Sequence, residues 1–155
     1  MTKKTKSEKE KKTGNKVVVI RVRGKINLTH ELRKTFEMLN LYNKNGCVVI
    51  DNNPSMMGMV KKVKDYVTWG EITEENYKNL VEKKADLYKG RTEDSKLKIK
   101  YNKYFTYNKK KYKKFIRLSP PNGGFGTKGI KIGFSKGGAI GYRGEKINEL
   151  LLRMI

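Results

Sequence analysis

Apolar residues recur along this chain in two rhythms. "KVVVIRVRG" (residues 16–24) is a β-branched run closed by glycine, and a strand sends alternate side chains to opposite faces. Val18, Ile20 and Val22 then share one face, while Val19, Arg21 and Arg23 share the other. Next, Leu28, Leu32, Phe36 and Leu39 follow the helical period. "GCVVID" reads as a second strand. Asn53-Pro54-Ser55 opens a second helix, because proline suits a first helical turn, and Met56, Met59, Val60 and Val63 form its apolar face. "YVTWG" reads as a third strand. Thr73 is placed to cap a third helix, with Glu74 and Glu75 at the positive end of its dipole and Tyr77, Leu80 and Val81 on its apolar face. The order is βαβαβα, with strands short enough for antiparallel pairing. Both helices between strands are expected on one sheet face, leaving Arg21 and Arg23 exposed on the other.

Beyond residue 85 the pattern loosens. Residues 86–117 interleave lysines with Tyr88, Tyr101, Tyr104, Phe105, Tyr107, Tyr112 and Phe115 at no clear period, and "LKIKYNKYF" reads as an extended arm. Pro120-Pro121 and seven glycines through Gly138 then make a loop-rich run. The helical period returns with Ile147, Leu150, Leu151 and Met154. Four segments follow: a basic arm expected to be disordered when free (1–15), an α+β core (16–87), a Lys/Tyr-rich RNA-binding segment (88–116), and a glycine-rich loop with a C-terminal helix (117–155).

Charge narrows the partner. The 155 residues carry 37 Lys and Arg against 15 Asp and Glu, a net +22. Such self-repulsion disfavours a compact free chain, and a polyanion relieves it. Nucleic acid leads, because each neutralised phosphate also releases counterions. An acidic membrane surface is the weaker reading. No apolar run approaches the ~20 residues that span a bilayer, and "MTKKTKSEKEKKTGNK" lacks the apolar centre of a secretion signal, so a cytosolic protein is expected. Between the lysines, tyrosines suit stacking on unpaired bases.

Catalytic material is sparse. His30 and Cys47 are the sole histidine and cysteine; the first reads as an exposed structural residue, the second as a buried thiol. Glu74 and Glu75 are consecutive and serve a helix start, while Trp69 and the methionines read as core. In "KGGAIGYRGEK" (136–146), Gly144 is followed by Glu145, Lys146 and Ile147, so no phosphate-loop lysine-hydroxyl pair forms. Glycines at 138, 141 and 144 also fail the dinucleotide fingerprint. Two G-x-x-G units remain, without the preceding helix that an RNA clamp of that type needs. Turns before a helix explain most of these glycines, and the helix start at Gly144 offers a place for an RNA phosphate beside Arg143 and Lys146. No enzyme, cofactor or metal site is expected.

Several long stretches also carry a family resemblance: "VVIRVRGKINLTHELRKTFEMLNL", "MVKKVKDYVTWGEI", "FIRLSPPNGGFG" and "KGGAIGYRGEKINELLLRMI". Over residues 17–87 and 115–155 the chain resembles the large-subunit ribosomal protein L-thirty family (L-seven in eukaryotes), closest to its archaeal branch. It departs from that branch in a shorter, Lys- and Tyr-rich middle segment and in a basic N-terminal arm of eukaryotic character. The resemblance implies an α+β fold with a βαβαβ core similar to ferredoxin-like folds, a three-stranded antiparallel sheet in order three-one-two and helices on one face. It also implies a structural role on large-subunit rRNA, with 5S rRNA nearby, neighbouring ribosomal proteins as partners and no homo-oligomer.

Charge and family together select the RNA-contact candidates. These are Arg21, Arg23 and Lys25 on the first strand and its loop, and Arg33 and Lys34 on the first helix. Lys109, Lys110, Lys111 and Tyr112 come from the middle segment. Asn122, Gly123, Gly124, Lys128, Lys131, Lys136 and Arg143 come from the glycine-rich region, whose backbone can approach phosphate closely. The alternatives are a free nucleic-acid-condensing protein, which would bind without preference for structured rRNA, and an RNA-modifying enzyme, which would need His30 or a cofactor loop.

Overall fold

A computed structural model describes residues 16–96, 98–101 and 103–155. The expected basic arm at 1–15 lies outside the described residues. Strand β1 (Lys16–Arg21) is central, flanked by antiparallel β2 (Gly46–Asp51) and β3 (Val67–Glu71). This is the order two-one-three, equivalent to the expected three-one-two. Two short strands widen the sheet: β6 (Ile116–Arg117) pairs antiparallel with β2, and β7 (Gly141–Tyr142) pairs parallel with β3, so the sheet is mixed.

The helices between strands, α1 (His30–Met38) and α2 (Pro54–Lys62), cover one face as expected. Val17 and Val19 meet Phe36, Leu39, Val60, Val63 and Trp69 there. The opposite face is not open. Helices α3 (Glu74–Lys84) and α4 (Ile147–Met154) close it, burying Val18, Ile20 and Val22 against Ile72, Leu80, Ile147, Leu150, Leu151 and Met154. A strand buried on both faces is apolar at successive positions, which is why "VVVI" precedes the alternation in β1. The stripe Ile147, Leu150, Leu151 and Met154 of α4 is inaccessible to water, as its spacing predicts, while Leu152 faces out.

The start of α3 is tied to α4. Thr73 Oγ1 accepts from the Asn76 backbone N–H at 3.4 Å, the expected cap. Asn148 Oδ1 accepts from Thr73 N and from Asn76 Nδ2, both at 3.1 Å. Asn148 Nδ2 in turn donates to Glu71 O and Glu145 O, at 3.1 and 2.8 Å. Where β3 passes α4, a Cβ on Gly70 would collide with Gly144 O, so only glycine fits.

The middle segment is more ordered than its period suggests. Strands β4 (Tyr104–Tyr107) and β5 (Lys110–Lys113) form a hairpin, turned at Asn108 and Lys109 with φ of 47° and 62°. Its rings pair with protein rings: Tyr88 with Tyr104 (5.3 Å between centroids), Phe105 with Tyr112 (5.7 Å) and Tyr77 with Tyr107 (5.8 Å). Cys47 is fully buried, and burial pushes its thiol far above the ordinary range.

Candidate nucleic-acid interface

The cationic candidates divide into surface groups and internal ones. Lys25, Arg33 and Lys34 are exposed beside α1. Lys25 and Arg33 border a cleft of about 160 Å³ floored by Leu28, Phe36 and Leu41, with Tyr42 at its side. Lys109, Lys110 and Lys111 are exposed on the hairpin. Lys111 Nζ sits 5.0 Å from the centre of the Tyr104 ring, and Tyr112 stacks on Phe105.

Arg21 does not stand on an open face. It is 2% exposed, on the α1/α2 side of the sheet, with Nη1 donating to Leu41 O (2.7 Å), Nη2 to Gly24 O (2.9 Å) and Nε to Arg23 O (3.0 Å). Those carbonyls belong to the turn that leaves β1 and to the loop between α1 and β2, and the guanidinium ties the two together. Burial lowers its pKa, offset in part by Tyr66. Arg23 is half-buried, with Nη1 donating to Asp65 O at 3.1 Å and its guanidinium 4.7 Å from the Tyr66 ring centre. Neither matches the expectation of two free cations.

Arg143 is likewise internal, at 8% exposure. Its Nε donates to Thr68 Oγ1 (2.9 Å), and Nη2 donates to Phe125 O (2.7 Å) and Ala139 O (3.0 Å). Parity puts Thr68 on the sheet face opposite Val19 and Trp69, directly under the glycine-rich loops. Burial, and then the charge of Arg153, push Arg143 down to about 10.

The loops around Arg143 enclose a basin of about 430 Å³, bordered by Gly123, Gly124, Gly126, Gly137 and Gly138, with Lys146 and Arg153 at its edge. Positive φ at Gly123 (76°), Gly124 (78°) and Gly137 (86°) is the backbone freedom these turns use. Arg153 Nη1 donates to Asn122 O and Gly124 O, both at 3.0 Å, which fixes the turn after Pro121. Lys128 and Lys136 are exposed nearby; the Lys128 backbone N–H donates to Gly137 O at 3.2 Å, so the two lysines flank one junction. Lys131 is exposed in the same region.

Comparison with known proteins agrees with this architecture. Residues 17–67, from β1 to the first residue of β3, match the family model for ribosomal protein L30p/L7e. The large ribosomal subunit protein uL30 of Methanopyrus kandleri is 38% identical over 149 residues, spanning 86% of this chain and 100% of that protein. Its counterparts in Nanoarchaeum equitans and Methanococcus vannielii are 36% and 39% identical, each spanning 88% of this chain and 97% of the relative.

The chain belongs to the ribosomal protein L30p/L7e family. These relatives place it on the archaeal branch.

For this family member, sequence reasoning passed over Arg153, which borders the basin and holds its loop. The signal was present: Lys146, Glu149 and Arg153 are spaced three and four apart, one polar side of α4 opposite its buried stripe. Among the described residues, no three His, Cys, Asp or Glu side chains group as a metal site, and no helix is long and apolar enough to cross a membrane.

Proposed function

We infer that this chain is a structural component of the large ribosomal subunit, binding folded rRNA rather than catalysing a reaction, and that it works in the cytoplasm as part of that particle. The observation that carries the inference is similarity along the whole length of archaeal uL30 proteins, 38% identity over 100% of the Methanopyrus kandleri protein. A net charge of +22 supports it, since each phosphate neutralised releases counterions.

Lys25, Arg33 and Lys34 would meet phosphates beside α1, and Lys109, Lys110 and Lys111 beside the hairpin. Tyr112 widens that hairpin surface from its stacked position. Asn122, Gly123 and Gly124 let backbone approach RNA, with Lys128, Lys131 and Lys136 around them. Arg23 contributes through the loop it stiffens, and Arg21 by holding the α1 region in shape. Neighbouring ribosomal proteins and 5S rRNA complete the proposed surroundings.

Sedimentation of a lysate through a high-salt gradient tests the role. Stoichiometric co-migration with large subunits is the expected result. A chain that stays at the top, or spreads over all nucleic acid, would instead fit a free nucleic-acid-binding protein.

A further inference from the structure

Arg143 leaves one donor group unused. Nε and Nη2 are committed to Thr68, Phe125 and Ala139, whereas Nη1 has no partner among the described residues. The side chain is more than nine-tenths buried and borders the glycine basin. Its guanidinium is fixed over the Phe134 ring, 4.6 Å from the centre, so the spare N–H pair is held in one orientation.

We propose that the basin takes a single phosphate of the RNA backbone, with Arg143 Nη1 as the inner donor and Lys146 and Arg153 as flanking cations. This deepens, and rests on, the rRNA-binding reading above. Three features favour a phosphate over a solvated cavity. The first is charge: Arg143, Lys146 and Arg153 face one carboxylate, Glu149. The ion pairs among the described residues lie elsewhere, at Lys62–Glu31 and Lys113–Asp86, so Glu149 does not neutralise the group by direct contact.

The second is the like-charge strain between Arg153 and Arg143, which an anion between them would relieve. The third is shape. Five glycines share the lining with Phe125, Thr127 and Phe134, and a Cβ at Gly126 would stand 2.6 Å from Gly138 O, so the two loop segments pack backbone to backbone. A phosphodiester with its adjoining sugars meets peptide surface there, with the charge-assisted Arg143 Nη1 donor on the inner side.

The test is phosphate-ethylation interference on large-subunit rRNA, using the full-length chain, Lys146→Ala and Arg143→Lys. Wild type is expected to show a phosphate whose ethylation blocks binding. Both variants should become indifferent at that phosphate while keeping the remaining pattern, with affinity roughly five- to ten-fold weaker at 0.1 M salt and a shallower salt slope. Lys146 is exposed, so Lys146→Ala keeps the test valid if Arg143→Lys fails to fold.

An interference pattern identical in wild type and Lys146→Ala would overturn the phosphate site and leave rRNA binding intact. Loss of preference for large-subunit rRNA in the wild type would instead overturn the underlying reading. A parallel titration with inorganic phosphate, followed at the Arg143 Nε–H resonance, separates the two ligand sources. Saturation there, combined with unchanged interference patterns, would mean a free-phosphate site and sink the RNA assignment.

Discussion

The guanidinium carbon of Arg21 lies 4.0 Å from the centre of the Phe36 ring, which joins the edge of the central strand to the underside of α1. The same group donates to four backbone carbonyls around it, those of Arg23, Gly24, Leu41 and Tyr42. Lysine carries the charge without the planar fork. Arg21→Lys is therefore expected to leave at least one buried carbonyl unpaired and cost about 2–3 kcal/mol of stability. Chemical denaturation of the two proteins measures this directly; equal midpoints would mean that Arg21 is not the fastener inferred here.

Thr68 links the sheet to the glycine loops in both directions. Its Oγ1 accepts from Arg143 Nε at 2.9 Å and donates to Gly141 O at 2.9 Å. Thr68→Val keeps the volume and removes both bonds in a fully buried position. A loss of about 2 kcal/mol is expected, with faster hydrogen exchange confined to residues near 125 and 139–143. Uniform exchange changes throughout the chain would contradict a local link.

Lys109 occupies a left-handed conformation, φ 62°, after Asn108 at φ 47°. Asn-Gly is the pair that such a two-residue turn favours. Lys109→Gly should stabilise the hairpin by about 0.5–1 kcal/mol, read as slower amide exchange at 104–113. If Lys109 also meets a phosphate, the same variant should bind rRNA with a salt slope lower by roughly one ionic contact. Stability and binding then move in opposite directions, an outcome that separates the turn from the charge.

Tyr142 donates its hydroxyl to both oxygens of Glu71, at 2.8 and 2.9 Å. That hydrogen bond, with smaller contributions from burial and from the Glu71 and Glu145 charges, raises the phenol pKa. The protonated form is the one stabilised in the fold. Its contribution is present in full below the unfolded value of about 10 and is lost as pH rises through the higher folded value. Unfolding midpoints taken between pH 8 and 11 should fall less for Tyr142→Phe than for wild type. A steeper fall in the variant would reverse the assigned sign.

Local and periodic features were legible in the sequence. The stripe Ile147, Leu150, Leu151, Met154 reaches the core intact, Thr73 caps its helix, and Pro54 begins α2. What escaped was non-local. Arg21 is satisfied by Leu41, twenty positions away, and Arg143 by Phe125, eighteen positions away. An arginine's charge suggests water until the carbonyls that replace water are brought to it by the fold. The hairpin escaped for a related reason. Tyrosines set among lysines suit unpaired bases by composition alone, but Tyr104 and Tyr112 each meet a ring of the protein itself. The placement of Lys128 and Lys136 around one junction depended on loop closure, which composition does not encode.

The pairing of β1 with α4 across most of the chain has a consequence for synthesis. At about 5–20 residues per second, on the order of ten seconds separate the appearance of Val18 from that of Leu151. During that interval the α1/α2 layer can already form, while Val18, Ile20 and Val22 have α3 beside them but lack α4, the second helix that covers them. The nascent chain thus carries a half-wetted apolar sheet, together with a large positive charge, until its final helix emerges. A growing chain in that state has reason to be met early, by a chaperone that shields the sheet or by the RNA that neutralises its lysines.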